Sequence, residues 1–115
     1  KANVTYSAID TTTDKTYDSS TCGEMPNNPY CAENRWAGAK KACADLGMHL
    51  PSDVELVSIH TITTKNSGIK SLLNMSSNYW SSSEYGSYFV WRRGFPSGAR
   101  SYSYKNSTGN VRCVR

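Results

Sequence analysis

The chain is expected to fold as an α+β domain, two helices packed on short antiparallel strands with long loops, and three observations predict it. Trp36, Ala39, Cys43 and Leu46 recur at three- and four-residue steps, the spacing of one buried helical face. Ser52 and Glu55 match the S-x-x-E capping box, a helix start signal in which each side chain satisfies an orphan backbone N–H. The last third breaks into short runs rich in Tyr, Trp, Phe and Val, separated by Gly and Pro, which read as strands and turns.

In order along the chain, "ANVTYSAID" alternates as a strand would, with Val4, Tyr6 and Ala8 on one face. Residues 10–31 are dense in Thr, Asp, Ser, Asn and Pro, which favour turns by bonding to backbone or fixing φ, so a long loop is expected there. The first helix spans about Asn34 to Leu46, closed by Gly47, a residue suited to the left-handed position past a helix end. The second begins at Ser52 and fades near Thr63, where β-branched residues weaken helix propensity. A connector with a short turn around Ile69 to Leu73 leads to strand candidates at 79–84, 88–95, 99–105 and 111–115. All 115 residues form one domain: an N-terminal strand and loop over 1–33, a helical half over 34–78, and a strand-rich half over 79–115.

Charge is placed unevenly. Residues 79–115 hold six Lys and Arg with Glu84 as the only acid, whereas residues 1–78 hold seven against eight acids, so the net charge of +4 belongs to the end of the chain. No run approaches the ~20 apolar residues of a membrane span, and this fragment is not expected to insert into a membrane. A start at Lys1, without methionine, is compatible with a leader, an anchor helix or a further domain upstream. Cys22, Cys31, Cys43 and Cys113 are an even set in a short chain and lack the close pairs that structural zinc uses, which favours disulfides, with three pairings open, and an oxidising, extracytoplasmic home.

The stretch "YGSYFVWRRGFPSGARSYSY", Tyr85 to Tyr104, has the composition of an antibody paratope. Tyr supplies a rigid aromatic face with a polar tip, Ser and Gly adapt, and Arg forks to carboxylates or stacks on rings. Tyr85, Tyr88, Phe89, Arg92, Pro96, Tyr102 and Tyr104 are the ligand-binding candidates. Trp91 and Phe95 are expected to face the core, with Trp80 and the two helices completing the framework. Basic residues with interleaved aromatics also describe single-strand nucleic-acid platforms, but no dense Lys/Arg stripe or RNP-like motif supports that here, and no nucleic-acid partner is expected.

"WAGAKKACADLGMHLPSDVEL", followed by "YWSSSEY", a later "W…F…G" and a terminal "VRCVR", resembles the C-type-lectin-fold domains of bacteria and phage. These include the C-terminal domain of collagen-like adhesins, the formylglycine-generating-enzyme-like group and the variable proteins of diversity-generating retroelements. The likeness covers residues 34–115. It implies a bridge from the first helix to the last strand, Cys43 to Cys113, leaving Cys22 with Cys31. In the retroelement group, mutagenic copying lets varied positions hold Tyr, Ser, Gly, Arg, Phe, Pro or Ala but not Trp, Lys, Glu, Gln or Met. Between Tyr85 and Tyr104 only Trp91 lies outside that set, while Trp80, Glu84 and Lys105 stand outside the segment.

The calcium signatures of that superfamily, of the Glu-Pro-Asn and Trp-Asn-Asp type, are missing, and a hard cation needs several oxygen ligands, so no metal is expected; Asp10, Asp14 and Asp18 are the one cluster that could supply them. No cofactor and no catalysis are expected either. His49 and His60 have no paired nucleophile, and Asp53 and Glu55 are explained by the helix start. The expected function is an extracellular or surface-displayed binding domain with a variable face for a protein or other macromolecular ligand. The alternative is the globular head of a pilin-like or adhesin subunit.

Overall fold

A computed structural model describes residues 4–10, 17–18, 35–105, 107 and 109–115. The expected 10–31 loop and the Cys22–Cys31 pair therefore lie outside the described residues, apart from Asp10 and the backbone of residues 17–18. The elements are a 3₁₀ turn (Tyr6–Ala8), β1 (Tyr17–Asp18), α1 (Arg35–Asp45), α2 (Asp53–Lys65), α3 (Ser67–Leu73), β2 (Asn78–Glu84), β3 (Phe89–Gly94), β4 (Arg100–Tyr104) and β5 (Asn110–Val111). The fold is α+β.

The helices follow their local signals closely. At the start of α2, Ser52 Oγ accepts from the Glu55 N–H (3.1 Å) and the Ser52 N–H donates to Glu55 Oε1 (2.9 Å), completing the capping box. The helix runs past Thr63 to Lys65, with the hydroxyls of Thr61 and Thr63 bonded back to the carbonyls of Val57 and His60 within it. Asn66 then caps both ends of a junction: its N–H closes α2 on the Ile62 carbonyl, and its Oδ1 accepts from the Ile69 N–H to open α3, a full helix where only a short turn is expected.

At the end of α1, Gly47 (φ 72°) is left-handed, and the bonds Met48 N–H to Cys43 O and Gly47 N–H to Ala44 O form a Schellman motif. This motif turns Leu46 out to solvent at 46 % exposure and brings Met48 against the core instead, so the expected burial of Leu46 is corrected. The N-terminal strand is also corrected. Val4 gives its N–H to Ser58 Oγ, the chain coils through the 3₁₀ turn, and of the described residues 4–10 only Ile9 makes a β-bridge, to Val114. Short alternation without a neighbouring strand to pair with does not hold a strand.

The sheet order is β1-β5-β2-β3-β4. It is not wholly antiparallel as expected: after β4 the chain crosses back over the sheet, and β5 enters between β1 and β2, pairing parallel to β2 at Tyr79–Asn110. Adjacent residues of β2 point to opposite faces, so Tyr79 and Trp80 enter different cores. Tyr79 packs with Leu56 and Ile59 of α2, Leu73, Met75, Phe95 and Val114. Trp80 packs with Trp36, Ala39 and Cys43 of α1, Leu50, Val90, Val111 and Cys113. Phe95 is buried, as its sequence position suggests.

Three ties close the molecule. The Cys43–Cys113 disulfide joins α1 to the segment after β5 across 70 residues. Buried Arg112 donates to the carbonyls of Asp10 (3.0 Å) and Leu73 (2.7 Å), holding the N-terminal segment and the end of α3 to the C-terminal one. Gly109 lies so close to Trp80 that an added Cβ would overlap the indole.

Replacing Cys43 and Cys113 together by Ser should lower the unfolding free energy by about 2–4 kcal/mol in urea titrations, because the bond closes a long loop of the unfolded chain. Gly109→Ala should cost about 1–3 kcal/mol by the same measurement, since the indole has no free volume to move into. An unchanged midpoint for either variant would mean that the α1 core is not assembled as described.

Candidate ligand-binding site

The register of β3 with β4 pairs Phe89 with Tyr104, Trp91 with Tyr102, and Arg93 with Arg100. Directly opposed residues share a face, so these three rungs form one surface. It is the face that buries Tyr79 under α2 at one end, but α2 begins at Asp53, beside the Arg93–Arg100 rung, and leaves the aromatic rungs uncovered. Tyr85, at the start of the β2–β3 turn, lies over the same face, its N–H bonded to the Phe89 carbonyl.

The result is a contiguous layer of five rings. Tyr104 meets Phe89 at 4.7 Å between centroids, Phe89 meets Tyr102 at 5.4 Å, and Tyr85 meets Tyr102 at 4.8 Å and Trp91 at 4.5 Å. The geometries are tilted or edge-on, as the ring quadrupole favours. Tyr85, Tyr102 and Tyr104 nevertheless remain 47 %, 52 % and 60 % exposed, so the layer is an apolar surface in water rather than a core.

Past Trp91 the layer turns cationic. The Arg100 guanidinium stacks on the Trp91 ring at 3.6 Å and has its Nε 3.5 Å from Asp53. Arg93 donates from Nε and Nη2 to both oxygens of Asp53 (3.0 and 3.3 Å) and from Nη1 to the Gly98 carbonyl. Asp53 is thus more than a helix-start acid: it orients the two arginines that end the face.

The base of the face is clamped by the residues that flank the paratope-like stretch. Lys105 bonds Glu84 at 2.6 Å and lies over the Trp36 ring, while the Lys105 carbonyl accepts the Trp36 N–H at the start of α1. Hydrogen bonding and opposite charge from Lys105 hold the Glu84 carboxyl below its ordinary value. In β2, a register irregularity between Trp80 and Glu84 is stitched by Ser81 Oγ, which donates to the Trp91 carbonyl (2.7 Å) and accepts the Ser83 N–H.

Of the candidates, the structure brings Tyr85, Phe89, Tyr102 and Tyr104 together. Tyr88 sits in the β2–β3 turn, the most exposed aromatic among the described residues at 72 %. Arg92 alternates to the opposite face, where it donates to Ser103 Oγ and burial lowers the pKa of its guanidinium. Pro96 lies beyond the arginine rung, in a separate cleft of about 470 Å³ shared with His60, Thr63 and Lys70. Trp91 is corrected: it is half-buried beneath Tyr85, Tyr102 and Arg100 on the aromatic face, and the core tryptophans are Trp36 and Trp80. Arg100, Arg93 and Asp53 were missed. Counting parity from Phe89 would have placed Arg93 with the rings, but its partner Arg100 needs the turn length.

His49 approaches both oxygens of Glu55 at 3.1 Å, and His60 bonds the Pro96 carbonyl and abuts Phe95 edge-on. Both side chains are thus engaged in contacts at helix α2. Among the described residues no group of three or more His, Cys, Asp or Glu could hold a metal ion, and no helix is long and apolar enough to cross a membrane. Asp10 is buried, whereas Asp14 and the Asp18 side chain lie outside the described set. No protein-family model matches the chain, and no curated protein matches it.

Replacing Tyr88 with Ser should shift stability by no more than about 0.5 kcal/mol, and Tyr102 or Tyr104, which lose cross-strand ring contacts, by about 1 kcal/mol each, whereas Trp80→Ser should cost about 3 kcal/mol or more. Denaturant titration of the two variants separates surface from core, and the reverse ranking would invert the two faces. For the clamp, the lowered carboxyl value means stabilisation present above the ordinary glutamate range and lost as pH falls through the lowered value. Acid titration of stability should therefore be shallower in Glu84→Gln than in the parent; equal slopes would show that Lys105 does not hold the carboxylate.

Proposed function

We propose that the chain is a non-enzymatic, extracytoplasmic binding domain of C-type-lectin-like fold, displaying the aromatic face to a protein or other macromolecular ligand. One observation carries this: five rings in mutual contact, three of them tyrosines open to solvent among the described residues, lie on a sheet face that the helices cover elsewhere. Apolar aromatic area with an oriented arginine at its margin is the composition of binding hot spots. The lectin-like fold is supported by the α1-to-C-terminus disulfide and by the Ile9–Val114 bridge that brings the ends of the core together. The disulfide also supports an oxidising location.

Diversification by a retroelement is part of the same proposal. The residues it would vary lie on two hairpins, and the Glu84–Lys105 clamp holds their base through side chains that such copying does not produce. Sequencing this locus across a population should find substitutions concentrated at Tyr85, Tyr88, Tyr102 and Tyr104, with Trp36, Trp80, Glu84 and Lys105 constant. An even spread of changes over both faces would remove the diversification proposal. Binding itself is tested by incubating fluorescent domain with candidate target cells, where the Tyr88/Tyr102/Tyr104 triple Ser variant should lose signal at least about tenfold. Retention of the parent's binding by that variant would place the ligand elsewhere.

A further inference from the structure

β4 is the open edge of the sheet, with nothing paired beyond it among the described residues. The hydrogen-bond parity of the β3–β4 hairpin is set at both ends: the Lys105 N–H donates to the Tyr88 carbonyl and the Gly94 N–H to the Ala99 carbonyl. Antiparallel pairs alternate between bonded and unbonded. With this register the bonded pairs are Val90–Ser103 and Arg92–Ser101, so Arg100, Tyr102 and Tyr104 turn their backbone N–H and C=O groups outward. The Tyr104 carbonyl is taken by the N–H and hydroxyl of Ser107. The edge then offers both groups of Arg100, both of Tyr102 and the N–H of Tyr104. These same three residues carry their side chains on the aromatic face.

Such an edge is a template for an extended segment, unless charge, Pro or a bulge blunts it, and here only Arg100 stands in the way. An incoming strand would set its residue opposite Tyr102, and those two positions to either side, on the aromatic face within about 5 Å of their partners. Charge then selects the sequence. Arg100 is half exposed, held by the Trp91 ring and by Asp53 at Nε, and its terminal nitrogens meet no hydrogen-bond acceptor among the described residues. The Arg93 fork is already filled by Asp53 and Gly98, and Glu84, the one acid after residue 78, is bound to Lys105. An oriented guanidinium with two free donors matches a carboxylate.

Building on the display face above, we propose that its partner docks as an extended acidic segment of a protein, added as a sixth strand along β4. A carboxylate would lie opposite Arg100, and an apolar or aromatic side chain opposite Tyr102.

The test is phage-display selection of random peptides on the purified domain, followed by measurements on synthetic peptides of the enriched sequences. Selected peptides should carry Asp or Glu two residues from an aromatic or aliphatic one. Changing that acid to Lys, or N-methylating the alternate amides that face β4, should weaken binding at least about tenfold, and methylating the other set should not. Arg100→Gln should erase the preference for the acid while leaving the fold intact. In the complex, exchange of the Arg100 and Tyr102 amide hydrogens should slow. The proposal is overturned by basic or uncharged consensus sequences, by indifference to N-methylation, by failure to enrich any peptide, or by a homodimer in sedimentation that buries β4 against a second copy. A ligand that requires the tyrosines yet leaves the β4 amides exchanging freely would overturn the edge docking and keep the display face.

Discussion

Everything on the aromatic face depends on where α2 begins. One face of the sheet is buried under α2 at the Tyr79 and Phe95 end, and the helix cannot extend further because its first turn is pinned: Ser52 and Glu55 close the capping box, and the Asp53 N–H is bonded to Ser83 Oγ. Among the described residues nothing covers the remaining surface of β3 and β4. Rings placed there bury area mainly against one another, which is why five aromatics form a layer whose tyrosines stay wet.

The opposite face is bound more firmly. Trp80 fills the space under α1, Trp36 gives its indole N–H to the Ser81 carbonyl (2.8 Å), and the disulfide fixes α1 to the C-terminal segment. These contacts reach the base of the aromatic face through Lys105, which touches Trp36, Glu84 and the start of α1. Side chains on the outer rungs can therefore change with little consequence for the core, since the ladder beneath them is held by backbone bonds and by groups outside the stretch. The side chains that hold the core and those of the aromatic layer are thus different side chains of the same strands.

Asp53 couples the two. It begins α2, and its carboxylate orients Arg93 bidentately and lies against Arg100. The end of a helix that supports the core thus sets the direction in which the face presents positive charge, and the Trp91 ring holds the Arg100 guanidinium by cation–π stacking.

Much of this was determined by sequence alone. Both capping signals, the buried face of α1 through Trp36, Ala39 and Cys43, the strand positions in the last third and the burial of Phe95 all follow from local chemistry, because caps, periodicity and turn residues act within a few positions of one another. Glu84 and Lys105 stood out in the sequence as the residues flanking the tyrosine-rich stretch, although not as an ion pair. What tertiary structure decided was which side of each strand meets a helix. Trp91 and Trp80 are both strand tryptophans, and only the extent of α1 and α2 makes one a core residue and the other a platform. The same holds for Arg92 and Arg93, adjacent in the chain and opposite in the sheet, and for Leu46, which the helix end turns outward. Burial depends on what covers a residue, and the covering elements lie tens of residues away.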